Sequence, residues 1–309
     1  MQTERKAVLE DPLGSGPVIV TPRRAERPKD SEGQKGVCPF CPGHEDRTPP
    51  TLLSLPEGAA RWKVRVFSNL FPITDETTDS PGSGVHEVVV ETPKHDARFC
   101  ELTLKGISLV MQAIRSRFSF HNSNENLKAL TAFRNQGIRG GASLKHPHTQ
   151  LVGLSEVPPR LAAESVGFIR LAEKGKCPLC LSASDPFIIT EVESFRAFSP
   201  PAPRFPYETW IAPVHHEPSF ANLTDVELDD LAALLKRVLT SFTSIFTPFD
   251  YNLIIHTEPL TDESGTFHTH IEILPRTEPI AGFETGTGMM VNPVPPLKAV
   301  RDLRDILII

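Results

Sequence analysis

Cysteine and histidine carry the strongest chemical signal in this chain. Four of its five cysteines form two Cys-Pro-x-Cys pairs, Cys38-Pro39-Phe40-Cys41 and Cys177-Pro178-Leu179-Cys180. Proline tightens the turn that brings each pair of sulfurs together. Zinc takes four tetrahedral ligands from cysteine thiolates and histidine nitrogens, so each pair wants two histidines. His95 and His146 suit the first pair, His216 and His268 the second, and the two intervals agree to within one residue. Phe99, Leu102 and Thr103 follow His95 at the same offsets as Phe220, Leu223 and Thr224 follow His216. That favours His216, although Pro93-Lys94-His95 would match Pro213-Val214-His215. A redox Cys-x-x-Cys would need a βαβ setting and one exposed thiol of low pKa. Two copies with regularly spaced histidines favour metal. Cys100 has no partner in the pattern and reads as a small core residue.

The second signal is His146-Pro147-His148-Thr149-Gln150. In a strand, residues two apart share a face, so His146, His148 and Gln150 would point the same way if Pro147 does not break the pleat. One histidine can then ligate metal while its neighbour acts as a nucleophile, since a neutral imidazole is competent at physiological pH. Gln150 can donate a hydrogen bond to a phosphoryl oxygen. Upstream, Asn135-Gln136-Gly137-Ile138-Arg139-Gly140-Gly141-Ala142-Ser143 is a loop whose glycines let backbone N–H groups approach phosphate. Loop and strand together suggest phosphoryl-group chemistry. A plain core or surface His-x-His pair would leave this grouping unexplained.

The elements that must hold these residues repeat. In the first half, His86–Glu91 reads as a strand, Thr103–Phe118 as a helix with Leu104, Ile107, Val110, Met111 and Ile114 on one stripe, and Leu127–Phe133 as a strand. In the second half, Tyr207–Ala212 is a strand, Leu228–Ile245 a helix and Tyr251–Ile255 a strand, closing on His268-Thr269-His270. The reading is a duplicated α+β protein, each unit an antiparallel sheet with a helix. Whether the two sheets join is left open by periodicity. At 309 residues the length suits two units.

Composition narrows the function. Lys and Arg number 32 against 38 Asp and Glu, a net charge of −6, which argues against coating nucleic acid. No apolar run reaches the length of a membrane span, and Met1–Pro12 is charged with no secretory h-region, so cytoplasm is the default. Proline is abundant, at 30 residues, but apolar runs continue between the prolines, which implies a loop-rich folded protein.

The His-Pro-His-Thr-Gln strand, the paired Cys-Pro-x-Cys and the duplication resemble the galactose-1-phosphate uridylyltransferase family, a nucleotidyl-transferring branch of the histidine-triad superfamily. The resemblance covers essentially the whole chain. It extends to Arg23-Arg24-Ala25-Glu26-Arg27-Pro28, to Phe67-Ser68-Asn69-Leu70-Phe71-Pro72, to Thr92-Pro93-Lys94-His95, and to Gly282-Phe283-Glu284 before Val291-Asn292-Pro293. It implies an α+β fold of two histidine-triad-like repeats, each an antiparallel sheet with a packed helix: residues 1–160 with the catalytic site and one zinc, and 161–309 with a second.

Residue by residue, the resemblance implies His148 as nucleophile, with Gln150 and Ser143 holding phosphoryl oxygens. Arg24 and Arg27 would offset phosphate charge, Asn69 would touch the nucleoside, and Asn135, Gly137, Phe283 and Glu284 would contact substrate. Two Zn²⁺ would sit on Cys38, Cys41, His95 and His146, and on Cys177, Cys180, His216 and His268, with iron an alternative in the second site. The implied reaction moves UMP from UDP-glucose to galactose 1-phosphate through a nucleotidyl-histidine, in a homodimer. The alternatives are an ADP-glucose phosphorylase, a nucleotide hydrolase, and a non-catalytic zinc-stabilised nucleotide-binding protein. One departure leaves the base open between uracil and adenine. Long-chain uridylyltransferases generally lack the Cys177/Cys180 pair, whereas ADP-glucose phosphorylases and short bacterial members carry it. His270 is followed by Ile271-Glu272 and not by x-Gln, so the second half reads as structural.

Overall fold

A computed structural model describes residues 7–12, 16–27, 37–75, 82–262 and 264–308. Pro28 of the arginine-rich segment and residues 1–6 lie outside them. A two-stranded ribbon comes first, β1 (Ala7–Glu10) with β2 (Pro17–Val20). The body is one ten-stranded sheet. Its first half holds β3 (Thr51–Leu55), β4 (Val64–Ser68), β5 (Gly84–Val90), β6 (Ala129–Gln136) and β7 (His148–Leu154). Its second half holds β8 (Ile188–Glu191), β9 (Phe195–Phe198), β10 (Thr209–Pro213), β11 (Tyr251–His256) and β12 (His270–Pro275). The order is β3-β4-β5-β7-β6-β11-β12-β10-β9-β8, with antiparallel neighbours throughout. Read inward from each edge, both halves follow the same sequence of strands. They join where Leu253 of β11 stands opposite Arg134 of β6, so the two sheets are continuous.

The repeated threonines are helix caps. Thr103 Oγ1 accepts the Gly106 N–H at 3.1 Å and starts α1 (Leu104–His121). Thr224 and Glu227 form a reciprocal capping box at the start of α3 (Asp225–Ile245). The apolar stripes of both helices pack on one face of the sheet. Ile107, Val110, Met111, Ile114 and Phe118 of α1 join Leu228, Leu231, Leu235, Val238 and Phe242 of α3 in one buried core. Strand alternation supplies the sheet's share: Leu151 and Val89 face the helices, while His148, Gln150, Val88 and Val90 face the other way. On that other face, α2 (Pro159–Ala172) covers the second half through Leu161 and Phe168. A short helix, α4 (Gly282–Thr287), precedes the C-terminal α5 (Pro296–Ile308).

One expectation needs correcting. β7 begins at His148, so Pro147 ends the pleat, and His146 lies before the strand. The second His-x-His repeats this, with β12 beginning at His270. The first histidine of each pair is therefore released to face a cysteine pair, and only His148 and Gln150 share the strand face.

Candidate active site and metal centres

His146 is fully buried, and its Nε2 lies 2.8 Å from the Thr92 carbonyl oxygen. A carbonyl only accepts, so Nε2 carries the proton and Nδ1 carries the lone pair. That Nδ1 stands 3.7 Å from Cys38 Sγ and 3.6 Å from Cys41 Sγ, and His95 Nδ1 lies 3.4 Å from Cys41 Sγ. Tetrahedral zinc, with bonds of about 2.3 Å to sulfur and 2.0–2.1 Å to nitrogen, places neighbouring S and N donors about 3.6 Å apart. The donor set fits. Without a cation, burial and the neighbouring Cys41 push the Cys38 thiol up to about 11; a metal supplies the charge that makes both thiolates stable.

The second centre has the same construction. His268 Nδ1 lies 3.3 Å from Cys177 Sγ and 3.6 Å from Cys180 Sγ, with His216 Nδ1 3.6 Å from Cys180 Sγ. His216 Nε2 is held 3.0 Å from the Gly265 carbonyl oxygen, the outer-shell contact typical of ligating histidines. His215 instead sits at the surface, 3.5 Å from Glu227. Each of the two Cys₂His₂ sets could hold one metal ion.

The first centre abuts a cavity of about 190 Å³ lined by Arg24, Arg27, Phe40, Asn69, Ser143, His148 and Gln150. A second lobe of about 350 Å³ is lined by Asn135, Gly137, Ser143, Lys145 and His148. His148 and Ser143 belong to both lobes. Phe40, inside the first Cys-Pro-x-Cys turn, packs edge-on against His148 with ring centroids 5.4 Å apart, so the cysteine turn also forms a wall of the cavity. His148 Nδ1 lies 2.9 Å from the His146 carbonyl oxygen. Here the proton is on Nδ1, the reverse of His146, and Nε2 holds the lone pair.

Arg24 Nη1 donates to the Phe71 carbonyl at 2.9 Å. Burial, and then the neighbouring Arg27, lower the pKa of Arg24, as expected where two cations converge on space for an anion. Asn69 Oδ1 accepts the Phe71 N–H at 2.8 Å. Arg47 also lines the first lobe, and no sequence motif marks it.

The glycine loop has a different basis from the one its composition suggests. Gly137 has φ +72°, and a Cβ there would fall on the Asp250 carboxylate. A Cβ on Gly140 would strike the Gln136 and Tyr251 carbonyls. These glycines let the loop dock against the neighbouring strand, with Asp250 accepting the Arg139 N–H at 2.9 Å and Asn252 Nδ2 donating to Asn135 Oδ1 at 2.8 Å. Phe283 and Glu284 lie on α4, and neither lines either lobe around His148 in this chain. Glu284 lines a separate groove with Arg204, Phe205 and Met290.

Sequence reading missed a third cluster: Glu164, His256, His270 and Glu272. Glu272 carboxylate oxygens accept from Arg160 at 2.5 Å and Arg204 at 2.9 Å. His256 Nδ1 lies 2.9 Å from Glu164. Burial alone would raise Glu272, but His256 and Arg204 outweigh it and hold the carboxyl at about 2. The anions here are met by protein cations, the marks of a buried ion-pair network. His270, the counterpart of His148, is sandwiched between Trp210 and His256, with ring centroids 4.8 and 4.7 Å away, and is 2% exposed. It has no room for a substrate.

Comparison with known proteins places the chain in a family. The family models for the galactose-1-phosphate uridyl transferase N-terminal and C-terminal domains match residues 74–158 and 180–299. The chain is 32% identical to the ADP-glucose phosphorylase of Arabidopsis thaliana over 331 residues, 99% of this chain and 94% of that one. It is 30% identical to the galactose-1-phosphate uridylyltransferase of Thermotoga maritima over 323 residues, 96% of each chain. The crystal structure of an Arabidopsis thaliana ADP-glucose phosphorylase with bound ADP-glucose superposes with a TM-score of 0.83 at 33% identity, covering 97% of this chain and 99% of that one. A uridylyltransferase structure superposes with a TM-score of 0.84 at 27% identity, covering 98% of each chain.

Proposed function

Because this chain belongs to the galactose-1-phosphate uridyl transferase family, we propose that it is a nucleotidyltransferase working through a covalent intermediate on His148. The carrying observation is the tautomer of His148: Nδ1–H is committed to the His146 carbonyl at 2.9 Å, so Nε2 is the nucleophilic atom. Nε2 attacks the α-phosphorus of a nucleoside diphosphate hexose. The N–P bond forms as the bond from that phosphorus to the bridging oxygen breaks, and hexose 1-phosphate leaves with the oxygen and its electron pair. The ring then carries a positive charge, which the His146 carbonyl offsets at Nδ1. A phosphate oxygen of the second substrate attacks the same phosphorus and expels the imidazole. Dividing the transfer in two is the advantage of a covalent nucleophile. Gln150, Ser143, Arg24 and Arg27 stabilise charge on the phosphoryl oxygens, and preorganised donors of this kind are worth about 10²–10³-fold each.

Asn69 contacts the nucleoside, and Asn135 and Gly137 border the sugar-phosphate lobe. Phe283 and Glu284 stand away from His148, so this reading gives them a substrate contact only across a homodimer. Residues 1–160 form the catalytic repeat and 161–309 its structural copy. Zinc is the metal proposed for both centres, two per chain; the one in the first centre would act as a cross-link that fixes the His146 backbone.

The donor we propose is UDP-glucose, with galactose 1-phosphate as acceptor. A second reading, adenylyl transfer from ADP-glucose to phosphate, is favoured by the 32% identity over 99% of the chain to a protein named ADP-glucose phosphorylase. Assays with UDP-glucose plus galactose 1-phosphate, and with ADP-glucose plus phosphate, separate the two. UDP-galactose formation supports the first reading. ADP formation supports the second and overturns the first.

A further inference from the structure

His86 is a lone histidine in β5, 4% exposed, in no motif that the sequence signals. Strand alternation puts it on the same face as Val88, opposite Val152 and beside Gln150. Its two nitrogens are engaged differently. The Ile73 main-chain N–H donates to Nδ1 at 2.9 Å. An amide N–H cannot accept, so Nδ1 is the lone-pair nitrogen and a neutral ring must carry its proton on Nε2. Nε2 lies 3.0 Å from Gln150 Oε1. Asn69 Nδ2 is 3.1 Å from the same nitrogen, but it could donate there only if Nδ1 held the proton, which the Ile73 amide forbids. The ring is neutral, because burial holds its pKa down at about 4.

This chain of donors fixes an orientation that Gln150 cannot set for itself. A glutamine amide presents either its oxygen or its NH₂ to a given neighbour with nearly equal ease. With Nε2–H facing it, the Gln150 oxygen must turn to His86, and the NH₂ must turn away. We propose that His86 is a positioning residue: relayed from the Ile73 amide, its Nε2–H holds the Gln150 amide with the NH₂ directed at the phosphoryl group that His148 attacks. This rests on the nucleotidyl-transfer reading above for the identity of the group being held. The Ile73–His86–Gln150 relay itself does not.

The test has two arms. In the first, formation of the nucleotidyl-enzyme is timed in a single turnover for wild type, His86→Leu, His86→Gln, Gln150→Ala and the His86→Leu/Gln150→Ala double variant. Thermal melts confirm that each is folded. His86→Leu is expected to slow transfer about 10²-fold, the scale of one lost charge-stabilising donor, with donor KM nearly unchanged. His86→Gln restores an N–H near the Nε2 position and should recover most of the rate. In the Gln150→Ala background, His86→Leu should have little further effect. Losses that multiply in the double variant would overturn the proposal. The second arm reads the ¹⁵N shifts of the wild-type His86 ring at pH 7.5, which needs neither activity nor a variant that folds. The Nε2–H tautomer supports the relay, and an Nδ1–H ring or an imidazolium overturns it. A wild type that takes no nucleotide from any donor sinks the transferase reading, and this second arm still decides the relay.

Discussion

His148 Nδ1 stands 2.9 Å from the carbonyl oxygen of His146, a residue whose own Nδ1 faces Cys38 and Cys41. The side chain of one histidine joins a metal-type donor set while its backbone orients the next. A metal held by that donor set would therefore be mechanically coupled, over two residues, to the proposed nucleophile His148.

Metal content follows from this coupling. Metal analysis of the purified chain should find about two ions, and a value near one would remove the second centre. Cys41→Ser should lose one ion and cut transfer by about 10² or more, because His148 loses its fixed carbonyl partner. Cys177→Ser should also lose one ion, lower the melting temperature and leave the turnover of the folded fraction within a few-fold of wild type. Equal loss of turnover in both variants would contradict the assignment of catalysis to the first half.

Acid should destabilise the fold through His86. Burial lowers its pKa to about 4, with Arg24 and His148 also opposing its charge and Gln150 and Glu87 favouring it. The unfolded ring titrates near 6.5, so between about pH 6.5 and 4 the unfolded state binds more protons. Stability from this group is full above 6.5 and falls as the pH drops, by up to about 3 kcal/mol. Urea unfolding at pH 7.5, 5.5 and 4.5 measures it. His86→Gln should flatten that dependence, and an unchanged slope would refute the attribution.

The glycine loop offers a geometric check. Gly137→Ala would force a side chain into positive φ and onto the Asp250 carboxylate. It should cost about 1–3 kcal/mol in stability. Transfer should slow as well, because Ser143 sits at the end of the displaced loop. The double variant Gly137→Ala/Asp250→Gly, which opens the space, should recover part of both losses; no recovery would show that the contact with Asp250 is not the reason for glycine.

Much of this was legible in the sequence, for identifiable physical reasons. The metal donor sets follow from Cys-Pro-x-Cys and a conserved interval within the chain itself, and Thr103 and Thr224 align because both cap helices. The pairing of β6 with β11 leaves no periodic trace, since a fully paired central strand reads much like any other. The break at Pro147 separated His146 from the strand that its spacing suggested. His86 and the Glu164–His256–His270–Glu272 network were hidden because their partners come from different elements far apart in the chain.

The central claim is tested most directly by intact-protein mass measurement after mixing the chain with UDP-glucose or ADP-glucose in the absence of acceptor. The account predicts an added nucleoside monophosphate on wild type, uridylyl or adenylyl according to the donor used by the enzyme, removed by adding hexose 1-phosphate or phosphate, and absent from a folded His148→Asn variant. A wild type that turns over substrate without ever carrying the adduct, or a His148→Asn variant that carries it as fully as wild type, would contradict it.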